Sequence, residues 1–305
     1  MTEKLTGIIP PVLTPLNADG SVDEAALTKL VNYLIDSGVD GLFVLGSSGE
    51  VVYLTDEQRE QVLRVTTEVA AGRVPILAGV IDMTTNRVLE QIKRAEKYPI
   101  DAIVVTAPFY IRTAMDEVET HFRTIAAATK LPVWAYDIPV CVGTKLPAAF
   151  LVRMGVEGVL AGVKDSSGDD VGFRRLVLAN KAAGSPLQCF TGHEVVVDCM
   201  ALLGADGAVP GLGNVDPAGY VRLWKAAKAG DWDKAREEQD RLANLFEMVF
   251  QASTLGGGAA GVGSFKTSLA AMGVFSHNRM STPATRIEGD AADRIVSLVK
   301  EAGLL

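Results

Sequence analysis

Hydrophobic positions come in short unbroken runs, separated by longer stretches in which apolar and polar residues alternate with a helical period. The runs lie at 7–13, 41–45, 75–80, 102–107, 132–136, 159–164, 187–191 and 207–210. Most are too short for helices, and several are rich in Val and Ile with apolar residues at successive positions, which is how a strand covered on both faces reads. Between them, Ser21-Val-Asp-Glu24 has the form of a capping box and is followed by Leu27, Leu30, Val31, Leu34 and Ile35 on one helical face. Thr55-Asp-Glu-Gln58 is a second such start, continued by Val62, Val65 and Val69. Further helices are predicted over 116–129, 172–181, 195–203 and 217–229.

Strands that alternate with helices predict parallel βα units and an α/β fold. A closed (β/α)8 TIM barrel uses every run with none left over. A doubly wound open sheet would usually carry a glycine fingerprint after its first strand, where this chain has Thr14-Pro15-Leu16. After about residue 230 the strand signals stop, and 231–250, 264–272 and 290–304 read as helices. The expected organisation is a barrel over 1–229 that carries the active site, followed by a helical extension over 230–305. The glycine run at 256–263 lacks the Lys-Ser/Thr ending of a phosphate loop and reads as a hinge or linker.

Composition narrows the function. Acidic residues outnumber basic ones 37 to 29, for a net charge of -8, which argues against nucleic acid and against a basic membrane patch. Cys141, Cys189 and Cys199 form no CxxC pair, so neither a disulfide framework nor a zinc knuckle is expected. The first residues lack the pattern of a signal peptide, and no apolar stretch approaches the roughly 18 residues of a membrane span. The expectation is a soluble, cytoplasmic protein.

Barrel active sites sit at the C-terminal ends of the strands, which gives a short set of segments to inspect. Lys164 closes Val159-Leu-Ala-Gly-Val163, so its amine is carried on a strand expected to be buried. Burial disfavours an ammonium, and a neutral amine is what attacks a carbonyl to form a Schiff base. The plainer alternative is a rim lysine paired with Asp165 or Asp169. Tyr136 ends the preceding strand and could shuttle a proton, or could be a core tyrosine with a satisfied hydroxyl. Ser47 and Ser48 lie between glycines in a turn whose hydroxyls and N–H groups could hold a carboxylate, or form an ordinary polar turn. Gly192 and Glu194 follow strand seven, Gly211 follows strand eight, and Cys141 lies beside the Tyr136 segment. These four are the further candidates for substrate contact, although Cys141 also reads as a small packing residue. His121, His193 and His277 are scattered, and His193-Glu194 with Asp198 matches no usual ligand set, so no metal is expected.

Together, Gly46-Ser-Ser-Gly-Glu50, Pro108-Phe-Tyr110, Tyr136-Asp-Ile-Pro139, Gly162-Val-Lys-Asp-Ser-Ser-Gly-Asp169 and Gly204-Ala-Asp-Gly207 resemble, in order and spacing, the dihydrodipicolinate synthase / N-acetylneuraminate lyase family. These are pyruvate-dependent class I aldolases, and the likeness runs from Gly7 to the C-terminus. The resemblance implies that Lys164 forms the Schiff base with a 2-oxo acid and that Tyr136 relays protons with help from Ser47. It implies that Ser47 and Ser48 bind the carboxylate, and that Tyr110 reaches into a neighbouring subunit of a homotetramer built as a dimer of dimers. It implies no cofactor and no metal, because the lysine supplies the electron sink.

Two positions depart from the family's specialised members. The synthases that use aspartate semialdehyde carry an arginine where this chain has Cys141, and the neuraminate lyases carry Asp-Glu where it has His193-Glu194. The expected function is therefore aldol cleavage or condensation with pyruvate, or dehydration, of a 2-oxo-3-deoxy sugar acid or related hydroxy-oxo acid. The alternatives are a 4-hydroxy-tetrahydrodipicolinate synthase of lysine biosynthesis and a non-catalytic ligand-binding barrel. The second of these would have no need of both Lys164 and Tyr136.

Overall fold

A computed structural model describes residues 4–305. Its strands are β1 (Gly7–Ile8), β2 (Leu42–Val44), β3 (Ile76–Gly79), β4 (Ala102–Thr106), β5 (Val133–Asp137), β6 (Gly162–Asp165), β7 (Gln188–Thr191) and β8 (Gly207–Ala208). They form one 8-stranded sheet in the order β1-β8-β7-β6-β5-β4-β3-β2, with every pair parallel. The ring closes between its two ends, where Pro11 bridges Phe43 in parallel and Val12 N–H donates to the Phe43 carbonyl at 2.8 Å. The α/β reading holds: the chain folds as a (β/α)8 barrel with a C-terminal helical extension.

The barrel helices are α1 (Glu24–Asp36), α2 (Asp56–Ala70), α3 (Thr85–Ala95), α4 (Met115–Ala128), α5 (Pro139–Val142), α6 (Ala148–Val156), α7 (Asp170–Ala182), α8 (Val197–Leu203) and α9 (Pro217–Ala229). The extension adds α10 (Trp232–Phe246), α11 (Gly257–Ala271) and α12 (Gly289–Glu301). The Thr55 capping box is formed as expected, with Thr55 and Gln58 bonding reciprocally. At α1 the cap is Asp23 rather than Ser21, because its carboxylate reaches the Ala26 N–H at 2.9 Å. Helices α3 and α6 carry no strong start signal and escaped the periodicity reading; neither has a side-chain cap bond.

The glycine run proved to be helix, not hinge. Glycine costs a helix about 1 kcal/mol per residue, so local propensity cannot explain it. Packing holds the helix from its second half: Gly263 through Leu269 are all buried, and a Cβ on Gly263 would lie 3.0 Å from Ile287, whereas Gly256, Gly257 and Gly258 at its start are exposed. Ser264 and Ser268 return their hydroxyls to carbonyls one turn back, at 2.8 and 2.9 Å, so no buried hydroxyl is stranded. The extension joins the same core as the barrel, through Leu242, Leu245, Met248, Phe265 and Leu269.

One close approach sets up the site. Leu45, just past β2, has φ 58, a left-handed conformation that is costly for a bulky residue. This turns the chain sharply into Gly46-Ser47-Ser48, and the Leu45 carbonyl passes 2.1 Å from where a Cβ on Gly79 would lie. The Gly79→Ala variant is therefore expected to lose about 1–3 kcal/mol of stability through backbone displacement. An unchanged thermal midpoint would show that the turn does not need this gap.

Candidate active site

The β5–β6 register aligns Trp134 with Gly162, Tyr136 with Lys164 and Asp137 with Asp165. Side chains alternate between the faces of a strand, so Tyr136 and Lys164 share the inner face while both aspartates share the outer one. Beneath the pair, Gly162 makes room for Trp134, whose ring would lie 2.6 Å from a Cβ there. The layer that holds Tyr136 and Lys164 thus rests on a packed aromatic floor, with Trp134 edge-on to Phe190 at 5.1 Å.

Lys164 is 6% exposed. Its Nζ donates to the Tyr136 hydroxyl at 3.1 Å and stands 4.2 Å from the Tyr136 ring centroid and 4.9 Å from that of Phe43. The Ser47 hydroxyl approaches the Tyr136 hydroxyl at 3.5 Å, giving a line of polar atoms from amine to phenol to alcohol. Among the described residues no carboxylate lies within ion-pair distance of Lys164. The alternative pairing with Asp165 or Asp169 does not form. Asp169 caps α7 by accepting from Gly172 N–H at 2.8 Å, and Asp165 accepts from Ser167 N–H at 2.8 Å and from Lys145 at 3.2 Å.

Lys145 is what the sequence reading missed here. It bonds both Asp137 and Asp165 on the outside of the barrel, while Leu146 N–H donates to Asp137 at 3.1 Å. Burial pushes the Asp137 carboxyl up to about 6, and the bond to Lys145 pulls against that rise. Burial opposes the Lys145 charge too, but the two aspartates outweigh it and raise its pKa. No spacing in the sequence signals this triad; the only hint is that Tyr136 and Lys164 are each followed by an acid.

A cavity of about 660 Å³ opens above the pair. Ser47, Ser48, Thr106, Cys141 and Glu194 supply polar wall, and Phe109, Ile138, Val140 and Val142 supply apolar wall. The extension closes another side with Phe246, Val249, Val262, Phe265 and Met280, none of which stood out in the sequence. No arginine or lysine lines it among the described residues. Glu194 accepts from Leu212 N–H at 2.5 Å, and burial pushes its carboxyl up to about 7 against the opposing pull of Leu212 N–H, Lys164 and Gly211 N–H.

Gly211 and Gly192 support the site without lining it. A Cβ on Gly211 would lie 2.9 Å from Phe265, and one on Gly192 would lie 2.0 Å from the Ser166 hydroxyl. His193 is held by Asp170 at 2.9 Å and does not line the cavity. Tyr110 stands apart, 91% exposed with φ 75, close in sequence to Phe109 of the wall. No group of His, Cys, Asp or Glu that could hold a metal occurs among the described residues. No helix there is long and apolar enough to cross a membrane.

Residues 4–302 match the model of the dihydrodipicolinate synthetase family. The chain is 32% identical to a 4-hydroxy-tetrahydrodipicolinate synthase of Azobacteroides pseudotrichonymphae, over 95% of each chain. It is 28% identical to a probable 2-dehydro-3-deoxy-D-pentonate aldolase of Escherichia coli, over 99% of each. Among solved structures it is similar to YagE, an Escherichia coli prophage protein of the dihydrodipicolinic acid synthase family in complex with pyruvate. The TM-score there is 0.93 at 29% identity, covering 99% of this chain and 100% of that one. The lysine–tyrosine pair at the mouth of the barrel and the match along nearly the whole chain agree: this protein belongs to the dihydrodipicolinate synthetase family and is an enzyme of its class I aldolase and lyase type.

Proposed function

We propose that the protein is a Schiff-base lyase that cleaves, condenses or dehydrates a 2-oxo-3-deoxy sugar acid or related hydroxy-oxo acid. The observation that carries this reading is a buried amine 3.1 Å from a phenol, with no carboxylate among the described residues within ion-pair distance of it. In this reading Lys164 Nζ attacks the C2 carbonyl, and Tyr136 hands the oxygen a proton so that it leaves as water. Ser47 extends the relay, and Ser47 with Ser48 binds the C1 carboxylate. The resulting iminium draws electrons from C3. The Tyr136 oxygen, deprotonated by the first step, takes the C4 hydroxyl proton as the C3–C4 bond breaks, releasing an aldehyde and leaving an enamine of pyruvate; in dehydration it takes a C3 proton and passes it to the C4 hydroxyl, which departs as water. The barrel over 1–229 carries this chemistry, and the helices over 230–305 complete the cavity wall. The pyruvate complex of the similar YagE supports pyruvate as the oxo acid.

The wall decides the distal half of the substrate. A second carboxylate in a shielded site needs a positioned cation, and among the described residues no lysine or arginine lines this wall. Glu194 instead suits hydroxyl groups, and Cys141 stands where the aspartate-semialdehyde enzymes carry arginine. A 4-hydroxy-tetrahydrodipicolinate synthase is the second reading, supported by the relatives that bear that name. Tyr110, with its exposed neighbour Ile111 and with Val140 at the cavity mouth, fits a rim that a neighbouring subunit covers in a homotetramer.

Borohydride with pyruvate is expected to fix a mass adduct on the peptide that holds Lys164, and Lys164→Arg, which keeps the charge but loses the nucleophile, to be inactive. An adduct on another lysine would refute the assignment. Tyr136→Phe is expected to lower turnover by about 10²–10⁴-fold, the usual contribution of a positioned proton donor.

Uncharged hydroxylated tails are expected to react better than aspartate semialdehyde; efficient dihydrodipicolinate formation would reverse this. Because the Glu194 carboxyl titrates near about 7, well above its ordinary value, it is protonated below that pH and a full acceptor above it. KM for a hydroxylated substrate should therefore fall as pH rises through that value, and Glu194→Gln should flatten the profile and raise KM about tenfold. A profile unchanged by the substitution would place the hydroxyls elsewhere. Tyr110→Phe is expected to reduce turnover without dissociating the assembly, and a fully active monomer in sedimentation would rule out the shared-site role.

A further inference from the structure

Glu50 ends the turn that carries Ser47 and Ser48, yet its carboxylate takes no part in the chemistry above. It is 3% exposed and sits in a left-handed conformation with φ 56, its N–H donating to the Ser47 carbonyl at 3.0 Å. Glu50 lines the cavity beside Ser47 and Ser48, and both its oxygens bond donors of the helical extension. One accepts from Lys266 Nζ, and the other accepts from Ser281 N–H at 2.8 Å. Lys266 is wholly buried on α11 and also donates to the Arg279 carbonyl at 2.9 Å. Burial lowers the Lys266 pKa, and the Glu50 charge opposes that drop.

The neighbours of these groups in sequence are cavity wall: Phe265 precedes Lys266, and Met280 precedes Ser281. The loop between them is held separately, with Asn278 donating to Thr267 at 3.0 Å and to the Ile287 carbonyl at 2.7 Å. One carboxylate thus collects two donors from the extension, and the same peptide stretch presents Ser47 and Ser48 to the cavity.

We propose that Lys266 is a positioning residue: its buried pair with Glu50 clamps the helical extension to the Ser47–Ser48 turn and sets that turn for the substrate carboxylate. The two reach each other across 216 residues of sequence, so neither the barrel nor the extension can form the clamp alone. A buried ion pair is weak evidence for stability, since a well-packed apolar pair often does as well. That lets positioning be separated from folding. The proposal rests on the reading of Ser47 and Ser48 as carboxylate binders, so its test follows pyruvate binding rather than turnover alone.

Single removal of Lys266 strands a buried charge, so the variant to make is the double Glu50→Leu/Lys266→Met, in the full-length protein. It is expected to melt near the wild-type temperature, while half-saturating pyruvate in borohydride trapping rises about tenfold and the limiting trapping rate changes less than about threefold. Glu50→Gln keeps a carbonyl oxygen for Ser281 N–H but loses the charge, and is expected to raise half-saturation by about threefold. Wild-type half-saturation in either folded variant would overturn the proposal. Failure to trap pyruvate on Lys164 in the wild-type protein would instead sink the Schiff-base reading; calorimetric pyruvate affinity of the same variants then reads the clamp without an imine.

Discussion

The site depends on the pairing register of two neighbouring strands. Tyr136 opposite Lys164 brings phenol and amine to 3.1 Å on the inner face of the barrel, and the same alternation turns Asp137 and Asp165 outward. A slip of one residue would exchange the faces, burying two carboxylates at the mouth and presenting the amine to the helices. Trp134 over Gly162 pins that register from below, because no other residue at 162 leaves space for the indole.

The outward aspartates carry their own requirement. Two buried acids side by side would repel, and Lys145 bonds both, so the charge they create is met outside the barrel rather than by Lys164. The division of labour is electrostatic. One lysine neutralises the carboxylates, and the other is left with aromatic rings and a phenol, the setting that the proposed Schiff-base chemistry requires. A similar economy holds at the opposite wall, where Glu50 meets Lys266 and the turn bearing Ser47 and Ser48 is joined to the extension.

Much of the barrel was legible because buried parallel strands leave unbroken apolar runs, and each of the eight runs overlaps one of the observed strands, with β5 and β6 ending one residue beyond theirs. Lys164 and Tyr136 close two of those runs and Ser47 follows a third, at the strand ends where a barrel places its site. What stayed hidden has one physical origin: contacts between distant parts of the chain. Lys145 looks like any loop lysine until β5 and β6 are paired. Lys266 reads as an interruption in an apolar helix until Glu50 is beside it. The glycine run of α11 misled because helix propensity favours a break there, while the helix is anchored further on, where Gly263 packs on Ile287 and the residues to Leu269 are buried. His193, just past β7, is held by Asp170 from the preceding βα unit, a contact its position in the sequence does not signal.

The claim on which the rest turns is that Lys164 and Tyr136 act on one carbonyl carbon. A crystal structure after soaking with pyruvate tests it most directly. The account predicts continuous density from Lys164 Nζ to pyruvate C2, with the carboxylate against Ser47 and Ser48 and the Tyr136 hydroxyl within hydrogen-bond distance of the new bond. Pyruvate bound with its carbonyl intact and Lys164 Nζ still free, or bound elsewhere in the cavity, would contradict it.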